Sequence, residues 1–150
     1  MKKIFATLSF LVVLAIGAAA QSPVSWSFSS KKIDDKTYEL HLTAAIQGGW
    51  HLYAQKQPAD AIAQPTTFAF NKSPLLNFEG KVKESGKLEK YTDKVLNVSA
   101  NQYSNRVDFV QVVKLKAKAK TAVTGTLEYQ TCNDEKCLPP KSVPFTIALN

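Results

Sequence analysis

Thr37-Tyr38-Glu39-Leu40-His41-Leu42-Thr43-Ala44-Ala45-Ile46 declares a β-strand by its alternation. Tyr38, Leu40, Leu42, Ala44 and Ile46 share one parity, and Thr37, Glu39, His41 and Thr43 the other. Successive side chains of a strand point to opposite faces, so one face is expected in a core and the other in water. Outward from this stretch the signature repeats as short runs rich in Val, Thr, Phe and Tyr, separated by turn residues. The runs fall at 24–29, 50–55, 66–70, 76–84, 95–99, 107–115, 123–131 and 143–149. No long amphipathic helix is visible, and nine short strands in about 130 residues predict an all-β antiparallel sandwich. The run at 107–115 is apolar on both parities at Phe109, Val110, Val112 and Val113, which predicts a central strand covered on both sides. Residues 55–65, with Pro58 and Pro65, form the longest loop candidate.

The start of the chain sets the compartment. Lys2 and Lys3 precede an apolar run at 4–16, and Ala18-Ala19-Ala20 offers small residues for cleavage before Gln21. Residues 1–20 therefore read as a secretory signal peptide, and 21–150 as one exported domain, periplasmic or secreted. A retained anchor is the rival reading, but the run carries Thr7 and Ser9 and falls short of the roughly 20 residues that span a bilayer. Of the formal +7 charge, two units belong to the leader lysines, which leaves 17 basic against 12 acidic residues, or +5. Lys114, Lys116, Lys118 and Lys120 alternate with small or apolar residues and are expected on one solvated strand face. A nucleic-acid surface would want arginine and stacking aromatics beside that charge, and Arg106 is the sole arginine. The chain has no G-x-S-x-G elbow and no Gly-rich phosphate loop, so hydrolase and nucleotide readings fall away.

The chemistry concentrates in Tyr129-Gln130-Thr131-Cys132-Asn133-Asp134-Glu135-Lys136-Cys137-Leu138-Pro139-Pro140, which holds both cysteines. Alternation along 123–131 sends Val123, Leu127 and Tyr129 inward and Thr124, Thr126, Glu128 and Gln130 outward; carried one pair further, it places Cys132 on the accessible face. Leu138 and the two prolines stiffen the exit, and Val143, Phe145, Ile147 and Leu149 resume the inward pattern. A stapling disulfide is the common fate of two cysteines in an exported domain. Closing so short a loop removes only about 2 kcal/mol of unfolded-chain entropy, whereas a link across about 100 residues removes nearly 5. A bond between near neighbours on a loop can also be opened without unfolding the domain. Placement thus favours a redox-active pair, while the residues alone leave a purely structural disulfide in a binding or adhesion sandwich as the alternative. A zinc site would need His41 and His51 to complete the cysteine pair, and their spacing does not suit one. His41 reads as a surface histidine, and His51, between Trp50 and Leu52, as packed or hydrogen-bonded.

Gly48-Gly49-Trp50-His51-Leu52-Tyr53, Pro65-Thr66-Thr67-Phe68, Phe78-Glu79-Gly80-Lys81-Val82-Lys83-Glu84 and above all the Tyr-Gln-Thr-Cys to Cys-Leu-Pro-Pro segment resemble the N-terminal periplasmic domain of the thiol:disulfide interchange protein DsbD. The resemblance covers most of residues 21–150. It implies an immunoglobulin-like sandwich that relays electrons through Cys132 and Cys137 to or from thioredoxin-like periplasmic proteins, with no bound cofactor. DsbD continues into a membrane domain and a thioredoxin-like domain where this sequence ends at Asn150, so a separate membrane electron donor of DsbD type is expected. Family members set one further residue between the cysteines and leave through Tyr-Pro-Pro. They also shield the disulfide with a phenylalanine on a cap loop; the matching region, 90–96, offers Tyr91, Val95 and Leu96. Cys137 lies farther into the loop than Cys132, and in the family the second cysteine bonds the thioredoxin-like partner. Cys137 is therefore expected to be the sulfur attacked and Cys132 the resolving group. Asp134 and Glu135 beside them disfavour thiolates.

Overall fold

In the computed structural model, which describes residues 22–150, the stretch Thr37–Ile46 is a strand over its whole length. The leader at 1–20 and the cleavage position before Gln21 lie outside the described residues. The strands run β1 (Val24–Lys32), β2 (Thr37–Ile46), β3 (His51–Tyr53), β4 (Thr67–Phe70), β5 (Leu76–Gly86), β6 (Glu89–Asp93), β7 (Val98–Tyr103), β8 (Arg106–Leu115), β9 (Thr121–Tyr129), β10 (Thr131–Cys132) and β11 (Lys141–Leu149). Among the described residues no helix is long and apolar enough to cross a membrane.

The strands form three antiparallel sheets, ordered β1-β2-β8-β5, β11-β9-β4 and β10-β3-β7-β6. The first two face each other across the main core. Leu40, Leu42, Phe109 and Val113 from one side and Val123 and Leu127 from the other are fully buried. Each such side chain contributes about 1.5–3 kcal/mol by leaving water. Trp26 ties the layers, its ring 5.8 Å from that of Phe109 and 5.5 Å from that of Tyr129. Ser30 on β1 donates to the Ala148 carbonyl on β11 at 2.7 Å, closing the side of the sandwich. Pro144 is accommodated because β11 is an edge strand, where a missing N–H leaves no ladder bond unmade. The third sheet joins the core through Leu52 and Tyr103.

β2 meets its expected core face residue for residue, but its second face is not plain water. Thr43 is buried, and its hydroxyl and His41 Nδ1 both bond the Asp108 carboxylate, at 2.8 and 2.7 Å. The cause is cross-strand pairing, since Thr43 stands opposite Asp108 on β8. β8 is central, as 107–115 predicted, though Val110 and Val112 are only half-buried. A register shift between Glu79 and Lys83 on β5 disturbs the ladder beside β8, and buried Gln111 donates its amide to the Glu79 carbonyl at 2.9 Å.

Two sequence expectations are corrected here. The run at 95–99 is strand only at Val98 and Ser99, where β7 begins: Lys94, Val95, Leu96 and Asn97 form the turn between β6 and β7. Asp93 Oδ1 accepts from the Val95 and Leu96 amides at 2.8 and 2.9 Å, and Asn97 takes the left-handed conformation at φ 54° that the tight turn requires. The lysine series does not share a strand face either, because β8 ends at Leu115 and Lys116, Lys118 and Lys120 lie in the following connection. Lys118 pairs there with Asp35 at 2.7 Å, and Lys114 on β8 with Glu79 at 2.9 Å.

Candidate functional site

β9 leaves its sheet at Tyr129, and the chain crosses to the third sheet as β10, where Thr131 and Cys132 pair with Leu52 and His51. Gln130 anchors the crossing, accepting from the Gln64 amide at 2.9 Å and donating to the Leu138 carbonyl at 3.3 Å. A change of sheet resets the alternation, so Thr131 and Cys132 are both buried, at 3 % and 2 % exposure. Cys132 is therefore not on the accessible face that continued alternation along β9 predicts.

A tight turn follows. Asn133 N–H donates to the Lys136 carbonyl at 2.9 Å, and the Asn133 side-chain oxygen accepts from the amides of Glu135 and Lys136 at 3.0 and 2.8 Å. The chain folds back, Leu138 N–H bonds the Thr131 carbonyl at 3.0 Å, and Cys137 pairs with Cys132 as an isolated antiparallel bridge. The two cysteines form a disulfide with S–S 2.01 Å and Cα–Cα 4.0 Å. Their surroundings differ: Cys132 packs with Tyr53, Ala100 and Ala63, whereas Cys137 is exposed.

The pairing of the third sheet explains what surrounds the bridge. Residues opposite one another in an antiparallel ladder share a face, so Cys132 and His51 lie on one face with Tyr53 and Gln102, and Tyr91 with Ala100. This face, together with Ile62 from the β3–β4 connection and the Asn133 turn, encloses a groove of about 360 Å³. The connection is pinned to β7 by Gln57, which donates to the Asn101 carbonyl at 2.7 Å and accepts from the Asn101 amide at 3.0 Å. The β6–β7 hairpin that carries the expected cap residues stands at the groove. Tyr91 and Leu96 line it, Val95 points away at 93 % exposure, and Cys137 is left open.

Burial lowers the His51 pKa below its ordinary value, outweighing the opposite pull of Asp134 and Glu89. The Tyr53 hydroxyl stands 3.4 Å from His51 Nε2, and burial pushes its pKa up. His51 is thus packed and hydrogen-bonded, as its neighbours in sequence implied, but it also lines the groove with both cysteines. His41 does not; it sits on β2 against Asp108. Among the described residues no group of three or more His, Cys, Asp or Glu is arranged to hold a metal ion. Sequence reading passed over Tyr53, Asp93, Ala100 and Gln102 as groove residues, and their shared parity becomes a signal only once β3, β6 and β7 are paired.

The family model for the N-terminal region of the thiol:disulfide interchange protein DsbD matches residues 19–148. Two solved structures from Neisseria meningitidis are similar. The DsbD N-terminal domain in the reduced form is 17% identical, with 83% of this chain and 86% of that chain covered and a TM-score of 0.52. The complex between the DsbD N-terminal and PilB N-terminal domains gives 17% identity, 85% and 87% coverage and a TM-score of 0.53. At that identity the two establish the common fold. A search of curated proteins found no match. With the family model matched across nearly all of its described residues and its two cysteines joined in one hairpin, this immunoglobulin-like sandwich belongs to the family of DsbD N-terminal domains, whose chemistry is thiol–disulfide interchange.

Proposed function

We propose that Cys132 and Cys137 are the working couple of a periplasmic electron relay that exchanges with thioredoxin-like partners, and that a membrane electron donor of DsbD type keeps it reduced. The burial contrast within the hairpin carries this reading: Cys137 is exposed and Cys132 is 2 % exposed. A partner thiolate attacks the sulfur it can reach, so Cys137 takes the mixed disulfide and Cys132 leaves as a thiolate. When electrons are passed on, Cys137 attacks the oxidised partner and Cys132 then attacks Cys137, releasing the partner as a dithiol. The sulfur pair itself carries the two electrons, so the exchange requires no cofactor. The family match over residues 19–148 supports the chemistry, and the neighbouring structure of a DsbD N-terminal domain bound to another domain supports a protein partner.

The test uses single variants with a thioredoxin-like partner that lacks its own resolving cysteine. Cys132→Ser is expected to accumulate the mixed disulfide and Cys137→Ser not to. The reverse pattern overturns the roles, and no adduct with either variant overturns the relay. The proposed export route has its own check: the mass of the protein recovered from the periplasm should correspond to a chain beginning at Gln21.

A further inference from the structure

We infer that His51 is the proton-exchange partner of Cys132, accepting its thiol proton as Cys132 attacks the mixed disulfide and returning a proton when Cys132 departs as a thiolate. The inference rests on the proposed resolving role of Cys132 and adds to it a residue whose side chain belongs to the same reaction.

The geometry comes from the ladder. His51 is the cross-strand partner of Cys132, so the two side chains leave the ladder on one face, and directly opposed residues hold their Cβ atoms about 5 Å apart. Both line the groove that Cys137 opens into. Tyr53 fixes the ring edge-on, with centroids 5.5 Å apart and its hydroxyl 3.4 Å from Nε2. The other titratable or charged groups on this face are Tyr91 and Asp93 from β6, with Glu89 beside them, and Asp134, Glu135 and Lys136 from the hairpin turn.

The chemistry of the site calls for such a partner. A thiol buried among Tyr53, Ala100 and Ala63, with carboxylates on the adjoining turn, is held against ionisation, yet only the thiolate is nucleophilic. Neither carboxylate is the group paired with it; His51 is. Burial keeps the imidazole neutral near pH 7, which makes it a proton acceptor.

The steps balance. The Cys137 thiolate attacks a partner disulfide, and the partner's first sulfur leaves with the bonding pair. His51 takes the proton from Cys132, whose sulfur attacks Cys137 Sγ. The Cys132–Cys137 bond forms, and the bond from Cys137 to the partner breaks with its electron pair on the partner sulfur. The imidazolium then gives up its proton to water or to that sulfur. The dithiol has been oxidised to the disulfide and the partner disulfide reduced to a dithiol.

Rapid mixing of the reduced protein with a chromogenic aryl disulfide separates the events. One aryl thiolate appears as Cys137 is modified, and a second as Cys132 resolves the adduct. In His51→Phe and in the less disruptive His51→Gln, the second phase at neutral pH is expected to slow by about tenfold or more while the first is little changed. The shoulder that His51 imposes on the pH profile of that phase should vanish, and added imidazole should restore the rate in His51→Ala, which a merely structural role would not allow. An unchanged second phase in both Phe and Gln variants, or no rescue by imidazole, overturns the role of His51. A first phase that is lost in Cys132→Ser but kept in Cys137→Ser, or an adduct trapped on Cys132 in the native chain, overturns the order of the cysteines instead.

Discussion

At the scale of single residues, the site is a set of contrasts imposed on similar groups. Cys132 and Cys137 belong to one hairpin, but the switch of sheet at Gln130 drives the first into the Tyr53–Ala100 cluster and leaves the second in solvent. His51 and His41, both half-buried, differ in what they meet. His41 bonds the Asp108 carboxylate, whereas burial holds His51 below its ordinary 6.5. That depression couples folding to pH. The unfolded chain binds a proton at His51 near pH 6.5 and the folded chain only at lower pH, so the folded state binds fewer protons in between. The contribution is intact above 6.5 and is lost as pH falls below it. Asp93, whose folded pKa is lowered by the Leu96 and Val95 amides, adds its own loss only on acidification through and below the unfolded value of 3.8. In denaturant titrations the midpoint of the oxidised protein should therefore fall as pH is lowered through and below 6.5, and His51→Gln should flatten that slope. A variant with the native slope would place the titrating group elsewhere.

At the scale of elements, a strand was legible in sequence where one face is wholly apolar and its boundary residues are unambiguous, as in Thr37–Ile46. β6 escaped because Glu89-Lys90-Tyr91-Thr92-Asp93 has no apolar parity; it is an edge strand held by its hairpin to β7, and most of it is exposed. Val95 and Leu96 misled in the opposite direction, being apolar but placed at a hairpin tip, 93 % and 65 % exposed. The cysteine pair itself was legible, since chain proximity alone brings it together. The burial of Cys132 and the company of Tyr53, Ala100 and Gln102 were not, because they depend on which sheet receives β10. Gly125 shows the same dependence. It lies on β9 between Phe145 on β11 and Phe70 on β4, and a Cβ there would overlap the Phe145 ring and the Ala69 carbonyl oxygen. Gly125→Ala should destabilise the protein by about 1–3 kcal/mol in equilibrium unfolding, through overpacking. A neutral result would mean that the two edge strands separate more readily than their packing indicates.

At the scale of the whole molecule, the question is whether the fold leans on the bond that the proposed relay would break. The core that joins the two main sheets draws on Leu40, Leu42, Phe109, Val123 and Leu127, none of which belongs to the cysteine hairpin. The hairpin has backbone bonds of its own, from Asn133 to Lys136 and from Leu138 to Thr131, and neither passes through sulfur. Opening the disulfide therefore frees two side chains without releasing a strand from its partner. The loop it closes has a sequence separation of 5, so the link removes only about 2 kcal/mol of unfolded-chain entropy. Replacing both cysteines by alanine should cost about that much, with a modest addition for the packing of the buried Cys132 sulfur, and should lower the thermal midpoint by roughly 5–10 °C. The transition should stay cooperative, and the far-ultraviolet spectrum should remain that of the native sheet. A double variant unfolded at ambient temperature would show instead that the disulfide holds the sandwich together, and a bond the fold requires is a poor vehicle for electrons that must come and go.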